Sequence, residues 1–289
     1  MRAAAPENLK YALFLGCAPH GAAPEARTSL LAVAAKLGIE LIEMTDAPCC
    51  GGAHLQDYDD FLALAINAKT LAIAEKSNLE IVTICNTCSL VLSEAASRLA
   101  KDQALLDRVN KKLAEIDLQY NKGARVKHFL YALRDDYGFH NLPVINPLDK
   151  RIAPFYGCHN FRGAGSMDDP FNPRALSDLI KTLGGETANY TLQTSCCGFH
   201  AELQAPKTAA RLTGEILQEA RDSGADCIVT PCPLCQMSFD IGARKASEEM
   251  NDSLALPALH LTQLLGIALG ISARELGLKR NIIRPNLTD

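Results

Sequence analysis

Ten of the eleven cysteines fall into two ordered sets of five. The first set is Cys17, the adjacent pair Cys49 and Cys50 in "PCCGG", and Cys85 with Cys88 in "CNTC". The second is Cys158, the pair Cys196 and Cys197 in "SCCGF", and Cys232 with Cys235 in "CPLC". In each set 34 residues separate the double cysteine from the C-x-x-C pair, and from the double cysteine onward the sets are offset by 147 positions. The leading cysteines are offset by 141, because the second copy carries six more residues in its first spacer. Neighbouring side chains in an extended chain point to opposite faces, so each double cysteine needs a sharp turn to serve one ligand set.

The donor count limits the chemistry. A lone C-x-x-C fits half a zinc site, a dithiol redox pair or part of an iron–sulfur site. Zinc closes at four ligands, and a thioredoxin-like pair leaves three thiols idle. A cubane iron–sulfur cluster also takes four thiolates. Five thiols recurring twice favour a thiolate-rich iron–sulfur centre, either a cubane with a spare thiol or a cluster that uses five ligands. Gly51, Gly52 and Gly198 would let backbone approach sulfur and offer N–H groups. Cys227, inside "ADCIVTPC", has Glu80 at the equivalent place in the first copy and reads as a buried structural cysteine.

The elements that must carry these thiols repeat as well. "KYALFLGC" and "EIVTIC" are short apolar runs of strand length, and "YALFLGC" is matched by "APFYGC". "ARTSLLAVAAKLG" has helical spacing and stops at Gly38; "DDFLALAINAKTLAIAEKSN" is a second helix. "PRALSDLIKTLGG" and "APKTAARLTGEILQEARDSG" are their counterparts. Alternating strands and helices predict an α/β fold: two tandem duplicated domains, each a small parallel sheet flanked by helices. Ligands then collect beyond the carboxyl ends of the strands, where Cys17, Cys85, Cys158 and Cys232 end their runs. The Gly- and Pro-bearing stretch 135–151 predicts a boundary, giving domains over 1–145 and 146–289.

Composition excludes several classes. The net charge of −4 and the lack of a basic run argue against nucleic acid. The N-terminal stretch lacks the apolar core of a signal peptide, and no run of 18 apolar residues is present, so nothing is expected to span a bilayer. Such a cysteine load then suggests a reducing, cytoplasmic setting and metal ligands rather than disulfides. "GAGSMD" at 163–168 is too weak for a nucleotide loop, so electrons are expected from partner subunits.

The doubled pattern C…CCG…C-x-x-C resembles the cysteine-rich CCG domain. Two such domains without a ferredoxin segment resemble the B subunit of heterodisulfide reductase and its relatives. The 34-residue spacers are slightly short for that family, but no ligand is missing. The resemblance implies that each set of five holds a noncubane [4Fe–4S] cluster, whose elongated shape lets adjacent thiolates reach different irons. It also implies an oxidoreductase subunit acting on sulfur groups, with a disulfide or sulfur-carrier substrate split between two clusters. A ferredoxin-like iron–sulfur subunit and a flavin-containing subunit would be its partners. The alternative implied is a CCG subunit of an unusual succinate dehydrogenase, passing electrons to quinone and giving peripheral membrane attachment. A third is the iron–sulfur subunit of a lactate or glycolate oxidase.

Five histidines lie near these motifs. His159 follows Cys158, and His200 follows the second double cysteine by three residues; both are candidate proton donors to a departing thiolate. His54 reads as an exposed or sulfur-bonding neighbour. His128 and His260 start similar helices, where capping or packing is expected. Asp168, Asp169 and Pro170 are expected to form a turn before a helix near Pro173 or to line a partner surface. "LHLTQLLGIALGISARELGL" reads as a helix packed on the core.

Overall fold

A computed structural model of the chain describes residues 9–52, 54–163 and 168–286. The first sheet contains β1 (Lys10–Leu13), β2 (Glu40–Glu43), β3 (Ile81–Thr83) and β4 (Val126–His128), all parallel in the order β2-β1-β3-β4. The second repeats it with β5 (Arg151–Pro154), β6 (Glu186–Thr187), β7 (Cys227–Thr230) and β8 (Ala258–His260), in the order β6-β5-β7-β8. The predicted α/β class with two duplicated parallel sheets is what the chain forms. The central strands are buried on both faces, as parallel strands must be when helices cover each side.

Helices of the first half are α1 (Pro24–Leu37), α2 (Leu55–Tyr58), α3 (Asp60–Ser77), α4 (Asn86–Lys101), α5 (Gln103–Leu113) and α6 (Phe129–Tyr131). The last runs on as a wider π-type turn to Tyr137. The second half has α7 (Ala175–Thr182), α8 (Pro206–Asp222), α9 (Pro233–Asp240), α10 (Ala243–Met250) and α11 (Leu261–Ala268). Local chemistry sets their limits. Pro24 opens α1, and Gly38, at φ 70°, closes it with its N–H on the carbonyls of Ala34 and Ala35. Asp59 caps α3 by accepting from the Leu62 N–H at 2.9 Å. Asp168 accepts from the N–H groups of Arg174 and Ala175, so the predicted turn fixes the start of α7 just past Pro173. The nucleotide-like "GAGSMD" falls largely on residues 164–167, outside the described residues.

The halves do not simply touch. Helix α1 packs on α11 of the other half, and α7 packs on α6, the reciprocal pairing expected of a pseudo-two-fold. Both hydrophobic cores draw residues from both halves: one joins Leu30 and Val33 to Leu261 and Leu265, the other joins Leu92 to Phe155 and Phe239. Buried polar bonds cross the same seam, including Ser29 Oγ to Thr262 Oγ1 at 2.6 Å and Asn160 Nδ2 to Tyr131 Oη at 2.7 Å. Helix α11 is fully buried, as predicted for a core helix.

Candidate functional site

Each sheet delivers its cysteines at the carboxyl ends of three strands. Cys17, the pair Cys49–Cys50 and Cys85 follow β1, β2 and β3; Cys158, the pair Cys196–Cys197 and Cys232 follow β5, β6 and β7. The leading cysteines lie beyond the strand, not on its last residue, because Gly16 and Gly157, both at φ +74°, turn the chain outward first. Those glycines also make room. A Cβ on Gly16 would sit 2.7 Å from Cys88 Sγ, and one on Gly157 would sit 3.3 Å from Cys235 Sγ. In both C-x-x-C pairs the first cysteine is the N-cap of a helix, α4 or α9, so unpaired helical N–H groups face the sulfurs.

The double-cysteine corners are held from behind. Asn67 of α3 donates to the Cys50 carbonyl at 3.0 Å, and Thr213 of α8 donates to the Cys197 carbonyl at 2.8 Å. In front, the Gly51 N–H points at Cys49 Sγ at 3.5 Å and the Gly198 N–H at Cys196 Sγ at 3.4 Å. Ser238 Oγ reaches Cys197 Sγ at 3.6 Å.

All eleven cysteines are free thiols. The ten predicted as ligands gather together, eight of them in one belt of contacts. It runs from Cys17 through Cys49 and Cys50, with Cys50 Sγ 3.6 Å from Cys88 Sγ, then through Cys85 to Cys232 at 3.8 Å, and on to Cys235 and Cys197. Cys158 and Cys196 pair beside that end. Charge is divided alike between the leading cysteine and the first of each double pair. The hydrogen bond from Cys17 holds Cys49 far below the usual thiol range, helped by Cys50 and the Gly51 N–H against burial. Cys158 does the same for Cys196, bringing it to about 6 with help from the Gly198 N–H. The partners Cys17 and Cys158 are pushed up by those same bonds and by burial. Cys227 lies apart, fully buried in β7, where burial raises its thiol to about 12.

An all-thiol donor set of this kind suits iron–sulfur clusters. Among the described residues no three or more His, Cys, Asp or Glu close around a single metal ion. The thiols have N–H donors beside them and side-chain-free glycines against them.

The histidines gather at the second set. His159 Nδ1 lies 2.9 Å from Thr87 Oγ1; that hydroxyl lies 3.4 Å from His200 Nε2, and His200 Nδ1 lies 3.0 Å from His54 Nε2. His54 is exposed, while His159 and His200 are half-buried. Burial, reinforced by the neighbouring histidines, lowers His200 to about 4; burial also lowers His159. Thr87 was not singled out by sequence, although the polar "NT" inside "CNTC" against "PL" inside "CPLC" is a visible asymmetry. Nor was the place of His54 at the open end of the chain. His128 and His260 cap their helices as expected, with Nδ1 accepting from the N–H groups of Leu130 and Thr262.

Fold and site together define a class: a tandem α/β protein that assembles ten thiols where two sheets meet. The chain belongs to the cysteine-rich CCG domain family, which matches residues 11–93 and 152–240. It is 38% identical over 277 residues to the 8-methylmenaquinol:fumarate reductase membrane anchor subunit of Wolinella succinogenes, spanning 95% of this chain and 97% of that one. It is 30% identical over 284 residues to the B subunit of the ferredoxin/F(420)H(2)-dependent CoB-CoM heterodisulfide reductase of Methanosarcina acetivorans, spanning 95% and 94%. The resemblance to the B-subunit family of heterodisulfide reductase is therefore real across nearly the whole chain. A hypothetical protein from Helicobacter pylori shares the fold, with a TM-score of 0.80 at 17% identity over 98% of this chain and 54% of that one. No helix among the described residues is long and apolar enough to cross a membrane.

Proposed function

We propose that this chain is a two-cluster iron–sulfur subunit of an oxidoreductase complex, exchanging electrons between partner subunits and a two-electron substrate. One observation carries the reading: eight of the ten thiols form a continuous belt through the 3.8 Å contact of Cys85 with Cys232, and the Cys158–Cys196 pair lies beside its end. Cys17, Cys49, Cys50, Cys85 and Cys88 would hold one [4Fe–4S] cluster, and Cys158, Cys196, Cys197, Cys232 and Cys235 the other, both of the noncubane type. Bound there, the clusters supply single-electron steps. The protein's own part is to hold the thiolates in place by hydrogen bonds and to bring protons. His54, His200, Thr87 and His159 form a bonded row from solvent to the second set, along which a proton passes by successive exchange. Neutral imidazoles, which burial enforces at His159 and His200, suit transfer rather than storage.

Two substrates fit a two-electron, two-proton exchange. The quinone reading ranks first, because the fumarate reductase relative shares 38% identity against 30% for the heterodisulfide reductase relative. A crevice of about 140 Å³, mostly apolar with Phe199, Met237 and Ile241 and with Glu202 and Lys245 also lining it, opens beside Ser238, the hydroxyl that touches Cys197. The disulfide reading keeps support from the adjacency of the two thiol sets, which would present one sulfur of a substrate to each. A membrane-attached complex with flavin and ferredoxin-like partners is expected in the first case, and a complex with such partners acting on a sulfur carrier in the second.

The deciding experiment isolates the complex anaerobically and reduces it, then adds a short-chain quinone or a heterodisulfide. Reoxidation by quinone alone, with succinate-oxidising subunits co-purifying, supports the first reading. Reoxidation by disulfide alone replaces it with the second, and reoxidation by neither removes both.

A further inference from the structure

His128 and His260 have no place in the proton row, and both are fully buried. Each uses Nδ1 to accept from its own helix: from the Leu130 N–H at 3.1 Å and from the Thr262 N–H at 3.3 Å. A neutral imidazole has one proton, so it sits on Nε2. Both Nε2 atoms then donate across the seam. His128 reaches the Pro231 carbonyl at 2.9 Å, and His260 reaches the Ile84 carbonyl at 3.1 Å. Ile84 and Pro231 are equivalent residues, and each immediately precedes the first cysteine of a C-x-x-C pair, Cys85 or Cys232. A histidine of each half therefore fixes the peptide that aims the other half's cysteine.

Further bonds follow the same crossing. Asn86 Nδ2 donates to the Tyr156 carbonyl at 2.6 Å, two residues before Cys158. The Asn86 N–H is directed at the Cys232 thiol. The second copy has Pro233 and Leu234 where the first has Asn86 and Thr87, so these two contacts have no reciprocal.

We propose that the two cysteine sets are one interlocked unit, in which His260 positions the first set and His128 positions the second. This rests on the reading that the thiols hold iron–sulfur clusters. The histidines are positioning residues; they touch no sulfur ligand's reacting atom but orient the loop that carries it. Partners of this outer kind govern how tightly a metal centre is held.

The test uses the full chain, prepared anaerobically with iron and sulfide, and the variants His260→Asn and His128→Asn. Asparagine is a good helix N-cap, so each variant keeps its own helix start, while its shorter side chain does not reach the far carbonyl. Cluster loss to a chelator is followed by alkylation of each cysteine peptide and mass spectrometry. In His260→Asn, Cys17, Cys49 and Cys50 are expected to become reactive about tenfold faster, with Cys196 and Cys197 little changed. In His128→Asn the pattern reverses. A second reading needs no iron: amide exchange should quicken at Cys85–Cys88 in His260→Asn and at Cys232–Cys235 in His128→Asn. Effects confined to the substituted half, or absent from both, overturn the inference. So does loss of both sets together with the helical circular-dichroism signal, which would make the histidines general folding residues. A wild-type chain that binds no iron defeats the cluster reading instead, and the exchange measurement still decides the interlock.

Discussion

Cys85 Sγ and Cys232 Sγ touch at 3.8 Å, and these residues are 147 positions apart, the offset of the sequence repeat itself. Equivalent atoms of the two copies thus meet across the pseudo-two-fold, so the sets are joined at one point and diverge from it. Replacing Cys85 by Ser is expected to alter the electron paramagnetic resonance signals of both clusters. Replacing Cys49, remote from the contact, should empty the first and leave the second. Identical effects of the two changes would mean that the contact does not couple the sites.

Metal content is the simplest check. The anaerobic protein should hold about eight irons, with matching sulfide, if both clusters are four-iron units. Stoichiometric zinc without charge-transfer absorption would rule the clusters out.

The histidine row predicts a kinetic effect without metal loss. His159→Ala and His200→Ala should keep full iron, and at least one should slow turnover by about 10²-fold or more. His54→Ala opens the solvent end and should be milder and restored in part by added imidazole. Unchanged turnover in all three would remove the row from the mechanism.

Burial pushes His128 and His260 down to about 4, against about 6.5 when unfolded. Between those values the unfolded chain binds more protons, so stability rises with pH and is lost as pH falls from about 6.5 towards 4. Each histidine contributes on the order of 3 kcal/mol to that loss. Thermal midpoints measured on the metal-free chain between pH 7 and 5 should fall less steeply in His260→Asn than in the wild type. Parallel slopes would show that His260 is not the group responsible.

Two glycines with similar positive φ should behave differently. Gly38 stands at φ +70° with nothing near a new Cβ, so Gly38→Ala should cost about 1–2 kcal/mol and leave iron unchanged. Gly16 stands at φ +74° with Cys88 Sγ 2.7 Å from that position, so Gly16→Ala should also lose iron from the first set. Equal iron in both variants would show that Cys88 yields without cost to the site.

The sequence by itself determined the repeat, the ten thiols and the α/β class, because these follow from residue type and spacing. The period-3.6 runs of α1, α3 and α8 and their ends were legible for the same reason: Gly38 closes a helix wherever it is placed. The edge strands β2, β4, β6 and β8 were not, since their short runs "ELIE", "VKH", "ET" and "ALH" mix polar with apolar residues, whereas the equally short central strands lie in apolar runs. What only the tertiary structure decided is how the copies face each other. Their packing depends on apolar surfaces of α1, α7 and α11 that look the same in sequence whether they cover their own sheet or the other half's. That packing puts Cys85 against Cys232, brings Thr87 between His159 and His200, and turns two capping histidines into bonds across the seam. A hydrogen bond between residues 103 or 176 positions apart has no signature in local spacing, because it forms only after two buried surfaces have fixed the distance.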